Sequence, residues 1–143
     1  FKLIDLPGIY SLTSYTMEET VSRECIMRDD VDVIVDVVDA SSLERNLYLT
    51  LQLIELGKPV VLALNMMDIV EKRGMEIDLH RLPEMLGIPV IPVCARKKKG
   101  LDILCRRLRQ KSLNRPEKRL KPTRTRTKIM ETRLRPYQVS AAK

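Results

Sequence analysis

The sequence predicts an α/β domain: a mainly parallel sheet flanked by helices. Three observations carry that prediction. The run PVVLAL at 59–64 is aliphatic and β-branched with no polar alternation, as expected of a strand covered on both faces. A second run, VDVIVDVVDA at 31–40, has a β-branched residue at nearly every other position. Between and after these runs come segments of helical periodicity, each closed by Gly or Pro, so strands and helices alternate along the chain.

Taken in order, FKLID at 1–5 reads as a short strand ending in the turn LPG. Thr16, Glu18 and Glu19 open a helix that continues through Val21, Cys25 and Ile26. The strand at 31–40 follows. Ser41 and Glu44 then have capping-box spacing, and Leu43, Leu47, Leu51 and Ile54 recur at helical intervals until Gly57 and Pro59 stop the helix. The strand at 59–65 is followed by a weaker helix over 78–86, closed by Gly87. Pro83 lies inside that pattern and would cost about 3 kcal/mol in a helix interior, so this helix is expected to be distorted or to begin late. PVIPVCA at 89–95 is a fourth strand, and LDILCRRLRQ opens a final helix near Leu101. Strand–helix alternation of this kind requires right-handed crossovers.

The net charge of +7 is unevenly distributed. Residues 106–143 hold 14 of the 26 Lys and Arg against two acids, Glu117 and Glu131, giving +12; residues 1–105 hold 12 bases against 17 acids, giving −5. Residues 1–113 are therefore read as an acidic folded domain, and 114–143, too polar and charged to bury, as a disordered basic tail. With Tyr137 as its only aromatic and no recognisable module, that tail does not make a nucleic-acid partner the favoured reading. Cys25, Cys94 and Cys105 form no CxxC pair, which argues against a disulfide framework or zinc site and fits a reducing cytosol. No run approaches a membrane span, and no signal pattern occurs at the start. Phe1 opens directly on an apolar strand, so the chain is expected to begin inside a folding unit.

Three strand ends carry chemistry, and ligands of parallel sheets sit beyond the carboxyl ends of the strands. In NMMD, Asn65, Met66, Met67 and Asp68 follow the most apolar strand. Asp68 suits the adjacent ring N–H and amino donors of guanine, and a buried acceptor left unpaired would reject adenine. Asn65 would hold the loop. In DLPG, Asp5 suits a magnesium ion bound through water, and Gly8, after Leu6 and Pro7, lets backbone approach a phosphate. In CAR, Cys94, Ala95 and Arg96 would place the Ala95 N–H at a base carbonyl. Taken singly, each is equally an ordinary turn; their order and spacing, with a strand and helix in each gap, give them meaning.

That order resembles the P-loop GTP-binding proteins. DLPGIYSLTSYTMEE, VVDASSLERNLYLTLQLIELGKPVVLALNMMD and PVIPVCARKKKGLD resemble the cytosolic G domain of the ferrous iron transport protein B family over about residues 1–104. The resemblance implies GTP or GDP with Mg as ligands and a membrane domain of a parent transporter as partner, at the cytoplasmic face of the membrane. It makes Asp5 to Gly8 the third G motif, Asn65 to Asp68 the fourth, Cys94 to Arg96 the fifth, and 9–30 the second switch; no catalytic residue is assigned. Met66 stands where most such GTPases have a lysine, and Cys94 where they have a serine. No GxxxxGK[ST] occurs in the chain. The phosphate loop, first switch and first strand of the fold are therefore expected to precede Phe1, leaving an incomplete sheet split beside the 31–40 strand. The alternatives are a nucleic-acid-associated GTPase of the ribosome-assembly type and a noncatalytic remnant; the sequence assigns no oligomeric state. With most phosphate contacts missing, the 143-residue chain should bind GTP weakly or not at all, and calorimetry should find no micromolar affinity.

Overall fold

The computed structural model describes residues 2–13 and 16–113. The basic tail expected at 114–143 lies outside the described residues. The elements are α1 (Met17–Met27), β1 (Ile34–Asp39), a 3-10 turn (Ala40–Ser42), α2 (Leu43–Glu55), β2 (Val60–Asn65), α3 (Met67–Lys72), α4 (Arg81–Leu86), β3 (Val90–Pro92), a second 3-10 turn (Ala95–Lys97) and α5 (Leu101–Leu113). The three strands form one parallel sheet in the order β1-β2-β3, with Ile34 beside Val60, Asp39 beside Asn65, and Leu62 beside Val90.

The burial of β2 explains its composition. Leu62 and Leu64 face one side and join Val38, Leu47, Val70, Leu82 and Leu86 beneath α2, α3 and α4. Val61 and Ala63 face the other side and meet Ile91, Val93 and the α5 residues Leu101, Leu104 and Leu108. Neither face sees water, so no position calls for a polar residue; each buried Leu contributes about 1.5–3 kcal/mol. A third cluster of Leu12, Ile26, Ile34, Leu53 and Val60 seats α1 and the 6–12 segment against the amino-terminal ends of β1 and β2. Lys58 fastens α1 there, its buried ammonium donating to the Met27 and Arg28 carbonyls at 3.4 and 2.5 Å, where the helix dipole is negative.

Several local expectations need correction. The strand expected at 1–5 is absent from the described part, 2–5, where Leu3 and Ile4 are exposed. A strand persists only where a neighbour takes its backbone hydrogen bonds, and β1 pairs with β2 alone. Residues 2–5, with no paired neighbour among the described residues, therefore form no strand. The Ser41–Glu44 capping box does not form. Ser41 instead gives its N–H and hydroxyl to Asp39 Oδ1, both at 2.8 Å, and α2 starts after a 3-10 turn with no side-chain cap. The fourth strand is shorter than expected, three residues, because Cys94 already turns into the following loop. A six-residue helix, α3, had no sequence expectation at all.

Other elements match. Thr16 caps α1 by accepting the Glu19 N–H at 3.1 Å. The weak helix begins late, at Arg81, with Asp78 accepting the Arg81 and His80 N–H groups at 2.8 and 3.0 Å. Pro83 then falls in the first turn, where its missing N–H has no intrahelical partner to lose. His80 is exposed, as a solvated surface residue would be.

One buried carboxyl lies within this framework. Asp36 of β1 is 7% exposed and accepts a hydrogen bond from the fully buried Thr50 hydroxyl of α2 at 2.6 Å. Burial pushes its carboxyl above the ordinary range, partly opposed by the Thr50 hydrogen bond. Such a group stabilises the fold while protonated. Its contribution is complete below the unfolded-state value of about 3.9 and is lost as pH rises through the raised folded-state value. Asp36→Asn keeps an acceptor for Thr50 without a charge, so it should raise the Tm more at pH 8 than at pH 4. Thermal melts at the two pH values check this, and an equal shift at both would contradict it.

Candidate functional site

The site is built where β2 ends. Asn65 is its last residue, and the chain must turn into α3 within one position, which puts Met66 in the left-handed region at φ 64°. For a residue with a Cβ that conformation costs roughly 1–2 kcal/mol, so the turn is held by its surroundings. Two residues on, Asp68 lies in the first turn of α3 with its side chain 11% exposed.

The CAR loop closes over this turn. Val93 N–H bonds Leu64 O at 2.8 Å, carrying the β2–β3 pairing one residue further. Cys94 and Lys99 then exchange backbone hydrogen bonds at 3.0 and 3.2 Å, pinching residues 95–98 into a tight loop. Gly100 sits at φ 78°, and a Cβ there would lie 2.3 Å from Pro92 O and 3.3 Å from Val93 Cα.

The two loops meet through side chains. Asn65 Oδ1 accepts the Ala95 N–H at 3.1 Å, so Asn65 does hold the loop. Asp68 Oδ2 takes Arg96 Nη2 at 2.9 Å and Lys97 Nζ at 3.7 Å. Partial desolvation pushes the Asp68 carboxyl up, but the Cys94 thiol, the Arg96 guanidinium and the Lys97 charge more than offset this and hold it below the usual range. Sequence reading assigned Lys97 no role at this site.

The third motif is not joined to the other two. All three strand ends were expected at one edge of the sheet, but no hydrogen bond or ion pair among the described residues links Asp5, Leu6, Pro7 or Gly8 to either loop. Leu6 packs on the cluster at the amino-terminal ends of β1 and β2, and Pro7 O accepts the Ser22 hydroxyl at 3.4 Å. Without a paired strand at 2–5, nothing pins this turn to the carboxyl edge. Asp5 and Gly8 are exposed, and a Cβ on Gly8 would meet nothing within 4 Å, so the backbone there is open to a ligand. The described residues contain no cluster of three metal-ligating side chains. A magnesium ion held through water by one carboxylate needs none, and the exposed Asp5 fits that role. An open groove of about 740 Å³ is lined by Met67, Val70, Glu71, Met75, Glu76, Ile77, Asp78 and Arg81. Of the sequence-predicted site residues it includes Met67 alone, and neither Asn65, Asp68 nor the CAR loop.

Parallel strands, flanking helices and two loops converging on a strand-end carboxylate define a domain of the P-loop GTPase fold. The chain belongs to the ferrous iron transport protein B family, whose model matches residues 1–108. It is similar to the Fe(2+) transporter FeoB of Salmonella typhimurium, 48% identical over 106 residues covering 71% of this chain and 14% of that protein. It therefore spans about one-seventh of the length of these curated relatives. Among solved structures, the FeoB G-domain of Methanococcus jannaschii is 44% identical with a TM-score of 0.75, covering 78% of this chain and 71% of that one. The mGMPPNP-bound NFeoB of S. thermophilus is 45% identical with a TM-score of 0.73, covering 76% of this chain and 42% of that one. With the family shown, the nucleic-acid-associated alternative is not favoured. No helix among the described residues is long and apolar enough to cross a membrane.

The loop geometry makes Gly100 indispensable. Gly100→Ala should destabilise the chain by well over the 1–2 kcal/mol of backbone strain alone, and hydrogen exchange of the Cys94 and Lys99 amides should accelerate. Gly87→Ala, also at positive φ (68°) but with nothing within 4 Å, should cost only the strain. Denaturant melts of the two variants compare the costs, and equal losses would contradict the argument.

Proposed function

We propose that this chain is part of the guanine-nucleotide-binding domain of a ferrous iron transporter, in which GTP binding and hydrolysis are coupled to Fe(II) movement through a membrane domain. The observation that carries the reading is Asp68: a nearly buried carboxylate in the first turn after the central strand, its pKa held below the usual range, beside the loop whose Ala95 N–H bonds Asn65. Such an acceptor selects the N1–H and amino edge of guanine over adenine. Relatives described as bound to mGMPPNP and to GDP support the ligand, and those named as Fe(2+) transporters support the cargo.

On this reading Asp68 reads the base, Asn65 fixes the loop and Ala95 faces the base carbonyl. Met66, 40% exposed, and Met67 flank the base, with Cys94 and Arg96 completing the loop. Asp5 holds the hydrated magnesium, with Leu6, Pro7 and Gly8 forming the turn beside the terminal phosphate. Magnesium supplies charge neutralisation at the phosphates when bound. The domain works at the cytoplasmic face of the membrane.

The test is a change of base. Asp68→Asn puts an amide donor where the carboxylate accepted, which suits the C2 carbonyl of xanthine. Titration of the chain with millimolar nucleotide, followed by NMR, should show GDP binding weakened about 10- to 100-fold, the range of a charge-assisted hydrogen bond, and xanthosine diphosphate binding gained. Unchanged GDP binding in the variant would remove Asp68 from the base site.

A further inference from the structure

Two of the groups that would read the base, Asp68 Oδ2 and the Ala95 N–H, each have a protein partner. The acceptor of Asp68 is taken by Arg96, with Lys97 on the same oxygen, and the Ala95 N–H is taken by the Asn65 side-chain carbonyl. The chemistry of these partners repeats that of the base. The reading edge of guanine, its ring N–H and amino group on one carbon, is itself a guanidine, and Arg96 offers the same planar donors on a flexible stem. Likewise the Asn65 amide oxygen meets the Ala95 N–H as the guanine carbonyl would.

We propose that Arg96 is an internal stand-in for the guanine edge: its guanidinium occupies the Asp68 acceptor, and an entering guanine must displace it. This rests on the reading of Asp68 as the guanine acceptor. Three observations carry it further than a chance surface ion pair. The Asp68 side chain is only 11% exposed, so a carboxylate left without a partner there is costly, whereas the Arg96 side chain is 75% exposed and nothing but the ion pair holds it. The two partners therefore differ in purpose: Asp68 needs a donor, and Arg96 can leave for water. Arg96 also follows Ala95 directly in a single 3-10 turn. The backbone that would bond the base carbonyl thus carries the displaced cation, so opening one contact moves the other. Finally, Lys97 lies at 3.7 Å, too long for a hydrogen bond; it shares the charge of the carboxylate and leaves the donor position to Arg96.

A ligand that replaces an existing partner is weakened by whatever that partner contributes. An exposed ion pair contributes enough to change an equilibrium by about two- to fivefold. Arg96→Ala should therefore tighten GDP binding to the chain by about two- to fivefold, measured by NMR titration to millimolar nucleotide. ADP, which offers Asp68 no matching edge, should be unaffected. Lys97→Ala should give a smaller gain for GDP. If Arg96→Ala leaves GDP binding unchanged or weakens it, the stand-in is refuted while the guanine reading stands. If Arg96→Ala shifts GDP and ADP alike, the guanine reading fails and the stand-in with it.

Discussion

The site depends on how the central strand stops. β2 is hydrogen-bonded on both edges and covered on both faces, so its carboxyl end is fixed to the whole core. Asn65 then has one free task, and it bonds the Ala95 N–H across to the loop after β3. That single contact joins two segments 30 residues apart and sets the distance at which Asp68 and the 95–97 turn face each other. Met66 absorbs the reversal at positive φ. The cost of that conformation is tolerable because the core holds both of its neighbours, Leu64 through Asn65 on one side and Val70 through α3 on the other.

The two buried carboxylates show how one residue type serves two ends. Asp36 and Asp68 are similarly enclosed, at 7% and 9% exposure. Asp36 has a single neutral donor, Thr50, and burial pushes it toward the protonated form. Asp68 has the Arg96 guanidinium and the Lys97 ammonium beside it, and with the Cys94 thiol these hold its carboxyl below the usual range although desolvation pushes it up. The difference lies in the neighbouring loop, which supplies the cations; an acceptor for a neutral ligand edge must be charged before the ligand arrives. Asp36 faces α2 inside the sheet and serves packing, so acidity in this strand is no guide to the site.

Much of this was legible in the sequence. The apolar runs of β1 and β2 gave the sheet because burial on both faces leaves no polar alternation, and Leu47 and its helical repeats gave α2 because one face is buried. Asn65, Asp68 and Ala95 were legible as a group through their spacing. Three things were not. The helix α3 is six residues long, too short for periodicity, though Asp68 in its first turn, Lys72 in its last and Gly74 at φ 64° just beyond could have marked it. The pairing of Arg96 and Lys97 with Asp68 is a tertiary contact between residues 28 and 29 positions apart, and composition holds no trace of it. The Ser41–Glu44 spacing misled because Asp39, two residues upstream, competes for the same serine.

The absence of a strand at 2–5 follows from the same physics that preserves the rest. β2 and β3 persist because each has a paired neighbour, whereas one edge of β1 carries no partner and leaves Val37 64% exposed. Residues 2–5 do not pair with that edge, and the DLPG turn settles on the α1 cluster instead. The loops that carry Asn65, Asp68 and Ala95 need only β2 and β3 to hold them. The turn at Asp5, Leu6, Pro7 and Gly8 takes its contacts elsewhere, from Leu6 on the α1 cluster and from the Ser22 hydroxyl to Pro7 O. The two sets of loops are thus held by different parts of the core: those at Asn65 and Cys94 by β2 and β3, and the turn at Asp5 by α1 and the amino-terminal ends of β1 and β2.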